Sequence, residues 1–153
     1  MGWGVVSGRE EIVGDYYRAI QKLTRARLCA SHPVMAAIAP ALDGDQPHLP
    51  EVMAKLRTRR NLTVEMLNSI PGISCVKPKG AFYAFPRITE FPAGITSDEQ
   101  WCAELIRKKG VVTVPGSGFG QKPGTFHFRI VFLPDEKTLT AAYTSIREFM
   151  AGQ

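Results

Sequence analysis

Apolar and polar positions change period several times along this chain, and each change marks an element. In Thr125–Leu133, Phe126, Phe128, Ile130 and Phe132 alternate with His127, Arg129 and Val131. A two-residue period is that of a strand with one face on a core. The other face carries a single charge, Arg129, in its middle. A guanidinium is costly to bury unpaired, and its planar fork matches a carboxylate bidentately. The strand alone leaves two readings open: an ordinary arginine, salt-bridged internally or lying at a wet strand end, or one that grips a carboxylate ligand.

Helical periods dominate the first half. Gly2–Val6 reads as a short strand, and Ser7 with Glu10 has the spacing of a capping box. The stripe Val13, Tyr16, Tyr17, Ile20, Leu23 predicts a helix from there to about Leu28. Ser31-His32-Pro33 marks a new helix start. Val34–Leu42 is apolar all round, which predicts burial, and Pro40 should kink or shorten the helix. Asp43–Pro50 is a polar, turn-rich connector and the best domain boundary. A long helix follows over Glu51–Ile70, with an imperfect stripe of Leu56, Thr63, Met66, Leu67 and Ile70 suited to more than one contact face.

From Ile73 the periods shorten. Ile73–Val76 and Ala81–Phe85 read as strands of a hairpin across Lys77-Pro78-Lys79-Gly80, and Pro86 to Ile95 reads as irregular. Ser97 and Gln100 form a second capping box. The helix behind it carries Trp101, Cys102, Leu105 and Ile106 on one face and stops at Gly110. Val111–Val114 is a β-branched strand, Pro115–Gly120 a tight loop, and the Arg129 strand comes next. A last helix from about Asp135 has the cleanest stripe: Leu139, Ala142, Tyr143, Ile146, Phe149. The order β-β-α-β-β-α predicts an α+β domain of two layers, with helices on one face of a small sheet. The first third has one strand and two helices, and no sheet for that strand to join.

Composition narrows the field. The chain has 153 residues, 44% hydrophobic and 22% charged, enough for one domain or one domain plus a fragment of another. No apolar run approaches the roughly 20 residues of a membrane helix. The start MGWGVVSG lacks the features of a signal peptide, so a cytoplasmic location is expected, without membrane association. Cys29, Cys75 and Cys102 are odd in number and far apart, and His32, His48 and His127 have no ligand spacing, so neither a disulfide framework nor a metal site is expected. The net charge of +5 is scattered among acids and not interleaved with stacking aromatics, which argues against nucleic acid. The cluster Lys55–Arg60 reads as a solvated helical face.

Two motifs invite chemistry. Pro115-Gly116-Ser117-Gly118-Phe119-Gly120 is glycine-rich, but a phosphate loop needs a helix directly behind it, and here Gln121–Gly124 and a strand follow. A loop bringing backbone close to a ligand or another domain fits better. His127 shares a face with Arg129 but has no nucleophile or carboxylate partner in sequence, so it is not assigned as a base.

Taken in order, the GWG start, the basic helical stretch RTRRN, the hairpin KPKGAFYAFP, the strand and loop VVTVPGSGFG, the strand FHFRIVFLP and the closing helix resemble one family. The chain is similar, over essentially its whole length, to the C-terminal part of class I/II aminotransferases. These are fold type I pyridoxal-phosphate enzymes of the aspartate/alanine aminotransferase kind. The resemblance implies that Arg129 binds the substrate α-carboxylate. It implies that Lys77–Tyr83 and Val114–Gly120 belong to a small domain closing over substrate. Gly2 and Trp3 match the strand that follows the cofactor lysine. That lysine, the phosphate-binding Arg and the residues for the cofactor ring lie upstream in the family pattern. No catalytic, cofactor-binding or metal residue is therefore assigned here.

Residues 1–48 are then expected to be a remnant of the large cofactor domain and 49–153 the small domain, entered by a long interdomain helix. The expected activity of the whole protein is amino transfer between an amino acid and a 2-oxo acid with pyridoxal 5'-phosphate, as a homodimer. The chain alone would be inactive and free of cofactor. A β-lyase or decarboxylase of the same fold, and a non-catalytic module binding small carboxylates, are the alternatives. Pro40 departs from the Ala- and Leu-rich helix usual in the family.

Overall fold

The structure is a computed structural model that describes residue 2 and residues 4–152. It forms two compact units, residues 1–46 and 47–153, which divide inside the Asp43–Pro50 connector.

The first unit is helical: α1 (Glu10–Ala26), α2 (His32–Met35) and α3 (Ile38–Asp43). Helix α1 starts later than the Ser7 box predicts. Its N-cap is Arg9, without a side-chain cap, and Glu10 and Glu11 face the positive end of the helix dipole instead. Glu10 is also drawn along the helix by Arg18, at 2.6 Å. No strand forms at Gly2 or Gly4–Val6, and Trp3 lies outside the described residues. Pro33 sits in the first turn of α2. Pro40 falls in the first turn of α3, where its missing N–H has no helical partner to lose, and the expected single helix is split at Ala36-Ala37. The expected burial of Val34–Leu42 does not occur: Val34, Met35 and Leu42 are exposed. Short helices of this kind supply no second layer to cover an apolar run.

The second unit opens with α4 (His48–Asn68), followed by β1 (Ile73–Ser74), β2 (Tyr83–Ala84), β3 (Arg87–Ile88), α5 (Asp98–Lys109), β4 (Val114–Pro115), a 3₁₀ turn at Gly116–Phe119, β5 (Phe126–Val131) and α6 (Glu136–Met150). All strand pairs are antiparallel, and β5 is central, with β4 on one edge and β2 and β3 on the other. Tyr83 pairs with Val131, Ala84 with Ile130, Arg87 with His127 and Ile88 with Phe126, which is one continuous register. The Phe128 and Phe132 N–H groups donate to the carbonyls of Pro86 and Phe82, each at 3.0 Å. Residues 82–88 thus act as one strand. Pro86 interrupts its donors but not its acceptors, which brings into the sheet a segment that reads as irregular in sequence.

The expected hairpin does not form. Strand β1 pairs with β3, Ile73 opposite Ile88, rather than with β2. The cause lies one residue on, at Cys75. Its N–H donates to Asn68 Oδ1 at 2.8 Å, and its carbonyl accepts from Asn68 Nδ2 at 3.0 Å. The side-chain amide replaces a neighbouring strand, so the chain leaves the sheet before Val76, which is exposed.

The helices pack on the sheet through one core. Leu67 and Ile70 come from α4 and its end, Trp101, Cys102 and Leu105 from α5, and Leu139, Tyr143, Ile146 and Phe149 from α6, against Ile73, Ala84, Ile88, Phe128 and Phe132. Trp101 is fully buried, stacks on Phe128 at 4.5 Å and donates its indole N–H to Met150 Sδ. Both ends of α5 follow the sequence. Ser97 accepts from the Gln100 N–H, and Gly110 closes the helix in the left-handed region at φ 67°. The Gln100 side chain turns back to the Thr96 N–H rather than to that of Ser97. Asp135 caps α6 by accepting from the Thr138 N–H. The basic cluster on α4 is only partly a solvated face. Lys55 pairs along the helix with Glu51, but Arg59 is largely buried, pairs with Glu136 at the start of α6 and donates to the Leu133 carbonyl.

One polar tie crosses the core. Thr63 on α4 and Tyr143 on α6, both buried, share a hydrogen bond of 2.8 Å between hydroxyls. Burial pushes the Tyr143 hydroxyl up to about 12, so it stays neutral. Thr63→Val should cost about 1–3 kcal/mol in urea denaturation, the penalty for leaving the Tyr143 hydroxyl unpaired. Adding Tyr143→Phe should recover most of that loss. A double variant as unstable as the sum of the singles would show that the pair is not coupled.

Candidate functional site

The alternation of β5 gives the sheet two unlike faces. Phe128 and Phe132 point into the core, while Arg129 stands half-buried on the open face. Val114 of β4 lies opposite Arg129, and the register of residues 82–88 sets Phe85 opposite it on the other edge. The guanidinium carbon sits 4.4 Å from the centre of the Phe119 ring and 5.0 Å from that of Tyr83. Phe85 meets Phe119 edge-on at 6.1 Å and so backs one of the two rings that flank the cation.

No carboxylate of a described residue lies within ion-pair distance of Arg129. No buried side-chain nitrogen or oxygen among those residues lacks a partner, so the guanidinium nitrogens reach solvent. This disposes of the internal salt bridge. Ring faces hold a cation without using its N–H donors. Tyr83 and Phe119 remain 42% and 46% exposed, which keeps the cation reachable. An arginine held in this way can receive a planar anion through two parallel hydrogen bonds.

A second set of contacts fixes the rim. Asp98, 3% exposed, opens α5. Its Oδ2 accepts from the Ser117 N–H at 2.7 Å and from Gln121 Nε2 at 3.1 Å. The Gln121 carbonyl therefore faces His127, and accepts from Nδ1–H at 3.1 Å. The His127 ring lies flat against Phe85 at 4.8 Å with 6° between planes. Burial, and next the Arg87 charge, push the His127 pKa down, while Asp98 acts the other way.

Of the segments singled out in sequence, Lys77–Tyr83 brings Tyr83 to Arg129, and Val114–Gly120 brings Val114 and Phe119. Gly2 belongs to the first unit. Sequence reasoning missed the aromatic box. Tyr83 and Phe85 share one face by alternation, a signal that was present in the sequence. Phe119 reaches the site on a loop whose path no period announces, and Asp98 meets that loop from the start of α5.

Every lysine is exposed except Lys109, and Lys109 is held by Glu148 at 2.7 Å.

The fold is a mixed module of helices and a small antiparallel sheet. The chain belongs to the aminotransferase class I and II family, whose model matches residues 1–146. It is 36% identical over 98% of its length to the glutamate-pyruvate aminotransferase AlaA of Haemophilus influenzae, covering 37% of that protein. It is 36% identical over 99% of its length to an alanine aminotransferase of Mycobacterium tuberculosis, covering 35% of it. Among solved structures, the alanine aminotransferase of Pyrococcus furiosus matches with a TM-score of 0.85 and 39% identity, over 94% of this chain and 36% of that one. The chain thus spans little more than a third of the length of these curated relatives.

The His127 shift has a measurable consequence. Its folded pKa lies below the ordinary value of 6.5, so the unfolded chain binds the proton more tightly. The stability this contributes is complete above about pH 6.5 and is lost as pH falls from there through the lower folded value. In urea denaturation between pH 7.5 and 5, His127→Gln should flatten that part of the decline. An unchanged pH profile would show that His127 is not the group responsible.

Proposed function

We propose that this chain is the C-terminal part of a pyridoxal-phosphate-dependent aminotransferase, in which Arg129 binds the α-carboxylate of the amino acid and of the 2-oxo acid. The observation that carries the reading is an arginine on a central strand, flanked by Phe119 and Tyr83 and left without an internal carboxylate. Family membership implies that the whole enzyme uses pyridoxal phosphate. The names of its relatives support alanine or glutamate as amino donor and pyruvate or another 2-oxo acid as acceptor.

On this reading residues 1–48 belong to the large domain and 49–153 form the small domain. The whole enzyme is a cytoplasmic homodimer. The described residues include no helix long and apolar enough to cross a membrane. The work of this chain is positional. Arg129 anchors the carboxylate at a fixed point, so the Cα–H bond of the substrate is presented in one orientation, and orientation is a large part of what an enzyme supplies. The surrounding rings lower the local dielectric and strengthen that ion pair.

In the whole enzyme, Arg129→Ala should weaken the use of both substrates by about 2–5 kcal/mol, as expected for one partner of a buried charge pair. Cofactor absorbance should be unaltered. Near-normal kinetics with both substrates would remove the assignment. Release of pyruvate and ammonia without an acceptor would identify a lyase instead.

This chain alone, mixed with pyridoxal phosphate and reduced with borohydride, should give only scattered modification at exposed lysines such as Lys79 and Lys122. A stoichiometric adduct at one lysine, read by peptide mass mapping, would show that the chain seats the cofactor unaided.

A further inference from the structure

We propose that Asp98 is a positioning residue: it clamps the 116–121 loop so that the Phe119 ring stays over the Arg129 guanidinium. The effect on substrate rests on the reading of Arg129 given above. The clamp itself does not.

A buried carboxyl is costly unless its oxygens are satisfied, and no lysine or arginine among the described residues pairs with Asp98. Its partners are amides. Oδ1 accepts from the Glu99 N–H at 3.1 Å, while Oδ2 takes both Ser117 N–H and Gln121 Nε2–H. Those two donors stand two residues before and two residues after Phe119. One oxygen therefore holds both ends of the segment that carries the ring. Capping of α5 does not require this side chain, because Ser97 already accepts from the Gln100 N–H. Asp98 thus gives Oδ1 to the Glu99 N–H of its own helix and Oδ2 to the loop.

Two further contacts remove the loop's freedom. A Cβ on Gly116 would stand 2.7 Å from both the Cβ and the carbonyl oxygen of His127, so only glycine lets the loop lie this close to β5. Gly120 turns the chain at φ 67°, in the region glycine favours. Gln121 passes the constraint on to His127, His127 stacks on Phe85, and Phe85 meets Phe119. The contacts form a closed circuit from Asp98 through the loop to Phe119, and back through His127 and Gln121. The half-exposed Phe119 has no core packing to hold it in place, so the loop is its support.

Ring current gives a readout that needs no substrate. In the full chain, the side-chain protons of Arg129 should be shifted upfield by Phe119 in NMR spectra. Phe119→Leu should remove that component, Asp98→Ala should remove it as well, and the double variant should lose no more. An Arg129 shift unaltered by Asp98→Ala, or a double variant that loses more than either single, would overturn the proposal. Trp101 fluorescence reports folding. Should Asp98→Ala fail to fold, Gln121→Leu breaks the same clamp from the loop side, and an unaltered Arg129 shift there overturns the proposal equally.

In the whole enzyme, Asp98→Ala should raise KM for both substrates roughly fivefold with kcat little changed, the scale of one lost cation–aromatic contact. It should have no effect in a Phe119→Leu background. A uniform fall in kcat with KM unmoved would mark a general structural defect and count against the proposal. If Arg129→Ala leaves the kinetics intact while the ring-current result holds, the clamp stands and the carboxylate reading falls.

Discussion

The structure depends on one strand having to serve two environments. Strand β5 is hydrogen-bonded along both edges, so its position and register are over-determined. Its inward residues, Phe128 and Phe132, are buried under the helices. Because side chains alternate, fixing those two also fixes the direction of Arg129. A slip of one residue would place the guanidinium in the core and a phenylalanine on the open face. The hydrophobic term that folds the domain is thus the term that aims the arginine.

The open face shows how a cation can be held without being neutralised. An acidic neighbour would pair with Arg129 and compete with any incoming carboxylate. Aromatic rings attract the cation through their faces and leave its five N–H donors free. The rim is supplied by two separate connections, residues 77–85 and 114–121. Each is anchored away from the site, the first by the ladder to β5 and the second by Asp98 and Gln121.

Polar groups in this unit are satisfied by long-range partners that local patterns do not reveal. Asn68 imitates a strand neighbour for Cys75 and so decides where β1 ends. Thr63 and Tyr143 link α4 to α6 through a single hydrogen bond in the core. Arg59 ties the same two helices at the surface by reaching Glu136 and the Leu133 carbonyl. Each contact joins residues that read in sequence as members of separate elements. Together they make the three helices and the sheet one body within residues 47–153.

The sequence by itself determined the elements whose signals are local. Helices α5 and α6 follow their caps and, with Ile106 exposed instead of buried, most of their stripes, and β5 follows its alternation, because 3.6- and 2-residue periods and terminal hydrogen bonds need only near neighbours. It also singled out Arg129 as a charge out of place, and the ordered motifs pointed to the aminotransferase family. Tertiary structure decided what depends on distant partners. It replaced the expected β1–β2 hairpin with pairing to β3, since Asn68 occupied the Cys75 backbone. It drew residues 86–88 into the sheet, because a ladder on β5 can tolerate a proline that only accepts. It left Val34–Leu42 exposed, as apolar character buries a segment only where another layer exists to cover it. It set Phe119 and Tyr83 against Arg129 and Asp98 behind Phe119's loop, contacts made across separations of 10 to 46 residues that no local period encodes.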